Sequence, residues 1–233
     1  MKYQPKMPPR DYQIKANRKA WGKEVFAWLM AQRTGKSKVS LDEFGAMELR
    51  GDALDHTIIA PGGAYLTWET AISEHCSDDL QERMLVHTWR SGSGSRQQRL
   101  REDFLRKIDK RVPRTLLMNV EAISRPGDAR DFVLEYLSQR KGKRIVNIDE
   151  VTTIKNKSKR TDCVLNKVEP LSDVRRIMSG LATPRSPLDL FYEFLFLDEK
   201  ILGHRSWYTF RAEVAFLKTQ WLGGRSVGVI DQE

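Results

Sequence analysis

The chain has 233 residues, 40% hydrophobic and 30% charged, which is enough apolar material for one large domain with a packed core. Forty Lys and Arg against 31 Asp and Glu give a formal net charge of +9, and this surplus favours polyanionic partners. Only two cysteines and four scattered histidines are present, which argues against a disulfide scaffold and a Cys- or His-based metal site and fits a reducing, intracellular compartment. No apolar run nears the roughly 18 residues of a membrane span, and no secretory signal opens the chain, so no membrane partner is expected.

Short apolar runs alternate along the chain with longer amphipathic stretches. The apolar runs show little polar alternation, which is typical of strands buried on both faces of a parallel sheet. Strands are predicted at Val25–Met30, Thr57–Ala60, Met84–His87, Thr115–Asn119, Arg144–Ile148 and Arg175–Ser179. Helices are predicted at Asp11–Trp21, Lys36–Arg50, Tyr65–His75, Ser95–Lys110, Asp128–Gln139, Thr161–Val168 and Pro187–Leu197. The alternation predicts an α/β fold with a mostly parallel central sheet flanked by helices, whose ligands bind beyond the carboxyl ends of the strands.

A phosphate loop is predicted between the first strand and the helix that begins at Lys36. The segment from Met30 to Ser37 ends in Gly-Lys-Ser, as a P-loop does, although Met30 replaces the first glycine of that pattern. Gly35 lets the backbone approach phosphate oxygens, Lys36 supplies charge to the β- and γ-phosphates, and Ser37 offers a hydroxyl to Mg²⁺. The alternative is a basic helix N-terminus that binds nothing.

An acidic pair, Asp149 and Glu150, follows the strand predicted at Arg144–Ile148. Beside a phosphate loop, Asp149 would hold Mg²⁺ and Glu150 would polarise the attacking water as general base. Three further strands fit between the loop and this strand, which favours a central strand neighbouring the phosphate loop. Alone, the pair is unremarkable, because strands often end in acidic turns. The basic loop that follows, residues 152–160, is either a solvated loop or a contact to a nucleic-acid backbone.

Several segments, in order along the chain, resemble the Swi/Snf-like DNA translocases of helicase superfamily two, particularly bacteriophage members. The segments are Pro9–Gln13, Gln32–Ser37, Ile58–Pro61 with Trp68, Leu117–Ala122, Asp149–Glu150 with Ile154–Asn156, Ile177–Gly180 with Arg185–Leu190, and Tyr208–Arg211. The resemblance implies a RecA-like three-layer sandwich of the P-loop NTPase class. It also implies a DNA-dependent ATPase in the cytoplasm of a phage-infected bacterium.

The resemblance carries roles onto the matching residues. ATP is expected to contact Gln13, which reads the adenine in the family, together with Arg33, Thr34, Gly35, Lys36 and Ser37. The expected catalytic residues are Lys36, Asp149 and Glu150, with Ser37 and Asp149 at Mg²⁺. DNA, duplex rather than single-stranded, is expected on Pro61, Gly62, Gly63, Arg90 and Lys155. Ser179 and Gly180 are expected to couple hydrolysis to lobe movement.

The resemblance also divides the chain and shows departures. Residues 1–20 are expected to form an arm with the adenine-reading motif, 21–200 the ATP-binding lobe, and 201–233 an extension toward a second RecA-like lobe. Motifs IV to VI of that lobe, with its arginine fingers, have no counterpart here. The second lobe is therefore expected in a longer protein or a separate chain, and this chain is expected to bind ATP weakly and hydrolyse it slowly. Leu181 also stands where motif III has its second hydroxyl residue.

Two other functions stay open. A P-loop kinase or GTPase is disfavoured by Met30 and by the Asp-Glu pair. A non-catalytic module that keeps the fold and binds DNA or a partner is favoured by the altered motif III and the missing lobe. The Gly/Ser segment 91–95 is either a linker or a DNA-contacting loop, and the place of Trp68 stays open. Core packing rather than base stacking is expected for Trp21, Trp28, Phe191, Phe194 and Phe196.

Overall fold

The computed structural model describes residues 2–92, 94–108, 112–180 and 186–215, and the backbone of 217–222 and 225–230. The predicted departure at Leu181 lies outside these residues. The described helices are α1 Asp11–Ala20, α2 Lys36–Arg50, α3 Thr67–His75, α4 Asp78–Arg83, α5 Ser95–Arg106, α6 Asp128–Gln139, α7 Lys159–Cys163, α8 Leu190–Leu197 and α9 Trp207–Val214. The strands are β1 Val25–Leu29, β2 Asp55–Ala60, β3 Leu85–Thr88, β4 Arg114–Asn119, β5 Arg144–Ile148, β6 Val174–Ser179, β7 Leu217–Leu222 and β8 Arg225–Ile230.

Strands β1 to β6 form one sheet in the order β1-β6-β5-β2-β4-β3, and every neighbouring pair is parallel. The predicted α/β class and all six predicted strands are confirmed, and this sheet is wholly rather than mostly parallel. Strand β5 is central, as expected, and the Asp149 carboxyl directly after it interacts with the charge of Lys36 in the phosphate loop, although β6 lies between β5 and β1 in the sheet. Apolar patterning marks which segments are buried strands, and it carries no information about their order in the sheet.

Two apolar layers enclose this sheet and make the predicted three-layer sandwich. Neighbouring residues of β2 show the division, since Ile58 packs into one layer and Ile59 into the other. The first layer holds Trp28, Val39, Phe44 and Trp68 under α1 to α4. The second holds Phe132, Tyr136, Val146, Ile148 and Phe196 under α5 to α8. Burial on both faces explains why the strand sequences are rich in apolar residues on successive positions, as in Ile58 and Ile59.

Most predicted helices appear, with differences at their ends. Helices α2 and α6 match their predicted bounds, whereas α3 begins two residues late because residues 61–66 turn before it. The predicted helix Thr161–Val168 begins at Lys159, capped by the Ser158 hydroxyl, and widens into a π-helix over Val164–Val168. Helices α4 and α9 and the antiparallel β7–β8 hairpin were not predicted.

The predicted aromatic core is confirmed except at Trp21. Trp28, Phe191 and Phe196 are buried, and Phe194 packs partly buried against the second layer. Trp21 is 41% exposed at the end of α1, with the Arg50 guanidinium 4.8 Å above its ring. Helix α1 ends at Ala20 and Trp21 has a non-helical backbone, so the helical periodicity no longer places the Trp21 side chain inside.

Paired charges are buried where the parallel strands begin. Asp55 at the start of β2 accepts from Arg114 at 2.8 Å and from Arg140 at 3.0 Å. Within β6, Arg176 pairs with Glu43 of α2 at 2.8 Å, and both side chains are 1% exposed. A buried arginine is tolerated only when a carboxylate and further acceptors surround it, so these pairs fix how the strands and helices meet.

The buried His87 makes stability pH-dependent. Its ring lies 5.1 Å from Phe132 and 5.2 Å from Phe104, and its Nε2 has no partner among the described atoms. Burial, and then the charge of Arg101, lower the pKa of His87 to about 4. Between pH 4 and the usual pKa of 6.5, the His87 ring takes up a proton in the unfolded chain but not in the folded one. The free energy of unfolding therefore decreases as pH falls through that window.

We expect His87→Phe to remove this loss, because phenylalanine fits the same aromatic cluster and carries no unpaired nitrogen. The stability gain over the wild-type chain should grow by up to about 1.4 kcal/mol per pH unit as pH falls from 6.5 to 4.5. Urea unfolding of both chains at pH 7.5, 5.5 and 4.5 measures the difference. A difference that stays constant with pH would contradict the assignment.

Candidate functional site

The predicted phosphate loop lies at the carboxyl edge of the six-stranded sheet, between β1 and α2. Gly35 precedes α2 with a φ of +77°, a left-handed conformation that glycine adopts without strain. Arg33 is also left-handed, with a φ of +62°. The Met30 N–H donates to the Ser179 carbonyl at 3.2 Å, so the loop begins beside the end of β6.

Gln13 joins the N-terminal arm to this loop. The side chain is 5% exposed, and its Oε1 accepts from the Arg10 N–H at 2.9 Å. Its Nε2 donates to the Thr34 carbonyl at 3.0 Å. A Cβ at Gly35 would lie 2.5 Å from that same Nε2, so only glycine leaves room for the contact. The predicted ATP residues Gln13, Thr34 and Gly35 are therefore one packed unit.

The Lys36 ammonium lies over the loop and is held by backbone carbonyls. Its Nζ donates to Met30 O at 3.3 Å and to Ala31 O at 3.4 Å, both long hydrogen bonds. The Thr34 hydroxyl also donates to Ala31 O, at 2.7 Å. Ser37 lies half-buried in the first turn of α2. The loop thus presents a cation and a helix N-terminus in one place, which is the arrangement that binds phosphate.

Asp149 lies directly after β5, where the Asp149 N–H donates to the Ile59 carbonyl at 2.8 Å. Its Oδ1 accepts from the Glu150 N–H at 3.0 Å, and its Oδ2 accepts from the Trp68 indole N–H at 2.9 Å. Burial raises the pKa of the Asp149 carboxyl, while these two hydrogen bonds and the charge of Lys36 act in the opposite direction. The contact to Trp68 is one that the sequence did not reveal.

Glu150 adopts a left-handed backbone with a φ of +52°, which is unusual for a residue with a side chain. Its Oε1 accepts from the Thr152 hydroxyl at 2.9 Å and from the Ser179 hydroxyl at 3.4 Å. Ser179 therefore touches both the acidic pair and the phosphate loop. Strained backbone of this kind clusters at functional sites.

Gly180 follows Ser179 and packs against the loop. A Cβ at Gly180 would lie 2.6 Å from Gln32 Cγ and 3.5 Å from Lys36 Nζ. The structure thus brings the predicted catalytic, ATP-binding and coupling residues to one edge of the sheet. It adds Gln32, Thr152 and Trp68, each of which belongs to a segment noted in the sequence but had been given no role at the site.

The predicted DNA contacts lie along the same edge. Three of them, Gly62, Arg90 and Lys155, lie close to carboxylates. The Gly62 N–H donates to Glu121 at 3.0 Å. Arg90, half-exposed beside a groove of about 660 Å³ over the open edge of β3, lies 3.5 Å from Glu69. Gly63 has open space around it. Pro61 opens the turn before α3, and its carbonyl accepts from the backbone of residues 64 and 65.

Lys155 lies in a more crowded acidic setting than the other predicted DNA contacts. Its Nζ is 3.4 Å from Asp189. Glu193, buried on α8, has a pKa raised to about 7, first by burial and then by the charge of Asp189, with Lys155 acting in the opposite direction. Glu193 is a buried acid near the site that apolar patterning of α8 concealed.

The Gly/Ser segment links β3 to α5, as one of its two interpretations expects. Arg101 of α5 donates to the Arg90 carbonyl at 2.8 Å and to the Gly92 carbonyl at 3.1 Å, while its guanidinium lies 3.9 Å from the centre of the Trp89 ring. These contacts fix where Arg90 leaves the sheet edge.

Comparison with solved structures identifies the fold. The SWI2/SNF2 ATPase core of Sulfolobus solfataricus in complex with dsDNA matches 91% of this chain, with a TM-score of 0.66 and 20% identity. Another structure of the SWI2/SNF2 ATPase core domain from that organism matches 91% with a TM-score of 0.64 and 19% identity. The UvsW helicase from bacteriophage T4 matches 82% with a TM-score of 0.56 and 11% identity. The chain has the α/β fold of these ATPase and helicase cores.

These likenesses establish the fold, and they cover only part of the longer proteins. This chain spans 40% and 39% of the two Sulfolobus chains and 58% of the UvsW chain. No family model and no curated protein matches the sequence. A particular closeness to bacteriophage members stays a prediction. Within the described ranges, no helix has the length and apolar character to cross a membrane.

The two ends of α2 test how tightly the loop is packed. Gly35 and Gly51 have nearly equal left-handed φ values, +77° and +74°, but a Cβ at Gly51 meets open space. We expect Gly51→Ala to cost about 1–2 kcal/mol of unfolding free energy, from backbone strain alone. Gly35→Ala should cost a further ~1–3 kcal/mol, because its methyl group displaces Gln13.

Urea unfolding measures both variants, and Gln13→Ala supplies the control. In the Gln13→Ala background the excess cost of Gly35→Ala should disappear, because the obstructing amide is gone. Equal costs for Gly35→Ala and Gly51→Ala in the wild-type background would show that the Gln13 contact does not constrain the loop.

Proposed function

We propose that the chain is the ATP-binding lobe of a DNA-dependent ATPase of the Swi/Snf-like helicase and translocase type. The observation that carries the proposal is the meeting of Lys36, Asp149, Glu150 and Ser179 around one left-handed glycine loop. A phosphate loop, an acid for Mg²⁺ and a second acid for water are the parts that phosphoryl transfer to water requires. The same fold in a SWI2/SNF2 ATPase core supports the choice among nucleotide-hydrolysing classes.

The donor set suits Mg²⁺ bound together with ATP. Magnesium prefers oxygen ligands and usually keeps several waters, with one or two carboxylates and the phosphates of the substrate. Asp149 offers a carboxylate and Ser37 a hydroxyl at this edge. In the described part of the chain, no group of three or more His, Cys, Asp or Glu residues is placed to hold a metal ion by itself. When bound, Mg²⁺ neutralises charge on the phosphates.

The chain's own residues can then position and activate the reactants. Lys36 exchanges two long carbonyl contacts for a phosphate oxygen, a stronger charge-assisted bond. The described contacts of Glu150 use Oε1, so Oε2 is the oxygen that takes the proton of the attacking water. Gln13, anchored to both the arm and the loop, orients the adenine. Ser179 and Gly180 couple the state of Glu150 and Lys36 to movement of a second lobe.

We propose duplex DNA as the partner of the edge that carries Pro61, Gly62, Gly63, Arg90 and Lys155. The net charge of +9 favours a polyanion, and the similar Sulfolobus core was solved in complex with dsDNA. Contacts to phosphates fix position without reading sequence, which suits a protein that steps along DNA.

The proposed motor needs a second RecA-like lobe, in a longer protein or a separate chain. Residues 1–20 then form the adenine-reading arm, 21–200 the ATP-binding lobe and 201–233 the extension toward the second lobe. An arginine finger from that lobe is worth roughly 10³–10⁵ in rate, so the chain alone turns over slowly. A non-catalytic module that holds DNA or a partner is the alternative, favoured by Leu181, which stands where motif III has its second hydroxyl residue.

Nucleotide binding tests the proposed site. We expect a fluorescent ATP analogue with Mg²⁺ to bind the wild-type chain, and Lys36→Ala to lower its affinity about tenfold or more, since a charge-assisted phosphate contact is worth roughly 1.5–3 kcal/mol. Glu150→Gln should bind as tightly as the wild-type chain and lose the slow, DNA-stimulated hydrolysis. Lys141→Ala removes an exposed lysine distant from the loop and should change neither quantity. No binding to the wild-type chain would favour the non-catalytic module.

DNA binding tests the proposed edge. We expect Arg90→Ala to weaken binding of a labelled duplex regardless of its sequence and to reduce the salt dependence of log K by about one ion. Titrations between 50 and 200 mM salt measure both effects, with Lys141→Ala as the charge-matched control. Equal losses in the two variants would show that net charge, and not this edge, binds the DNA.

A further inference from the structure

The Trp68 indole occupies an unusual position for an aromatic side chain in an apolar layer. It is 1% exposed, and its Nε1–H donates to Asp149 Oδ2 at 2.9 Å. The two residues are 81 positions apart in the chain, so the contact exists only in the folded domain. The other Asp149 oxygen accepts from the Glu150 N–H. Both oxygens of the carboxylate therefore have a fixed donor.

Burial alone does not explain this hydrogen bond. Trp28 and Trp89 are also buried, at 1% and 4% exposure, and the Nε1 atom of each has no partner among the described atoms. The domain thus tolerates buried indoles without a hydrogen bond. Only Trp68, of these three, points its N–H at a charged side chain of the proposed site, which assigns a specific role to that contact.

The backbone ties Trp68 to the loop at residues 61–66. The N–H groups of Ala64 and Tyr65 donate to the Pro61 carbonyl, and the Thr67 hydroxyl donates to Ala64 O at 2.7 Å. The backbone N–H of Trp68 donates to the Tyr65 carbonyl at 3.4 Å. This loop is the one proposed to contact the DNA backbone, so a displacement of the loop acts directly on the start of α3.

A carboxylate held at both oxygens has one orientation about its side-chain torsions. A hydrogen bond to a charged group contributes about 1.5–3 kcal/mol, enough to keep one rotamer dominant. An oxygen ligand that is already oriented loses less entropy when it binds a metal. Outer partners of metal ligands typically change metal affinity by about 10–100-fold when they are removed.

We propose that Trp68 is a positioning residue that orients Asp149 for Mg²⁺ and transmits occupancy of the loop at residues 61–66 to that carboxylate. The inference rests on the proposed function, because it takes Asp149 as the Mg²⁺ residue and the loop as a DNA contact. It adds a physical route between the two sites that neither the phosphate loop nor the acidic pair supplies.

The test compares Trp68→Phe with Trp28→Phe. Both variants exchange a fully buried indole for a smaller ring in the same apolar layer, but only the first removes a hydrogen bond. Affinity for a fluorescent ADP analogue is measured in EDTA and across a Mg²⁺ titration. We expect Trp68→Phe to bind within about twofold of wild type in EDTA and to need roughly tenfold more Mg²⁺ for half of the magnesium-dependent gain. Trp28→Phe should match the wild-type chain in both measurements.

Duplex DNA supplies the second arm of the test. In the wild-type chain, DNA should shift the Mg²⁺ concentration that gives half of the magnesium-dependent gain in nucleotide affinity, here called the Mg²⁺ midpoint. By linkage, Mg²⁺ with nucleotide should shift the affinity for DNA by the same factor. Trp68→Phe should lose most of this coupling while still binding DNA. Loss of coupling in Trp28→Phe to the same extent would overturn the assignment, because it would reflect general loosening of the layer.

A measurement on the wild-type chain covers the case in which Trp68→Phe fails to fold. The indole N–H resonance of Trp68, assigned by NMR, should shift when Mg²⁺ is added to the nucleotide-bound chain, and the resonance of Trp28 should not. An unmoved Trp68 resonance, or an unchanged Mg²⁺ midpoint in Trp68→Phe, would refute the positioning role while nucleotide binding itself persisted. Absence of any Mg²⁺-dependent nucleotide binding to the wild-type chain would instead refute the proposed function.

Discussion

The domain depends on one constraint, the parallel direction of its six sheet strands. Because every strand in the sheet runs the same way, the segments after β1, β2, β5 and β6 all emerge at one edge. The glycine loop, the turn at Pro61 and the acidic pair directly follow their strands, and Ser179 ends β6, so all four lie at that edge. The opposite edge carries buried pairs such as Asp55 with Arg114, which hold the strand starts in register. The edge where the strands begin is thus held by buried ion pairs, and the edge where they end carries the polar residues of the candidate site.

The sequence predicts the elements of this fold better than their arrangement. Lys36–Arg50 and Arg144–Ile148 are recovered residue for residue, because Gly35 and Gly51 bracket the helix and the strand, rich in Ile and Val, is buried throughout. Gly-Lys-Ser and Asp-Glu can likewise be found from local pattern. Strand order cannot, because the apolar pattern does not show that β6 lies between β5 and β1. No local signal shows that an indole on α3 meets a carboxylate 81 residues later, since that contact depends on packing of two apolar segments.

Strain and tight packing concentrate at the candidate site. Arg33 and Glu150 are the two described residues other than glycine that adopt positive φ, and both flank the proposed phosphate position. A left-handed residue with a side chain costs about 1–3 kcal/mol, which the surrounding sheet must hold in place. Glycines at 35 and 180 are required for a different reason, because a Cβ would collide with Gln13 or Gln32. The packing of the rest of the domain therefore offsets the cost of a backbone conformation at this edge that the local sequence does not favour.

The proposed DNA edge presents its donors already engaged with carboxylates. Gly62 faces Glu121, Arg90 faces Glu69 and Lys155 faces Asp189. A phosphate that binds here must displace an internal acid, so each contact yields only the difference between two similar interactions. Such exchange keeps affinity modest and independent of sequence, and it leaves a released carboxylate that can change its contacts. Lys155, Asp189 and Glu150 all act electrostatically on the buried Glu193, so release of Lys155 from Asp189 changes the charge around a group that also interacts with Glu150. In the proposed function, DNA bound at this edge is linked to the phosphate loop by the charges around Glu193 as well as by the Trp68 contact.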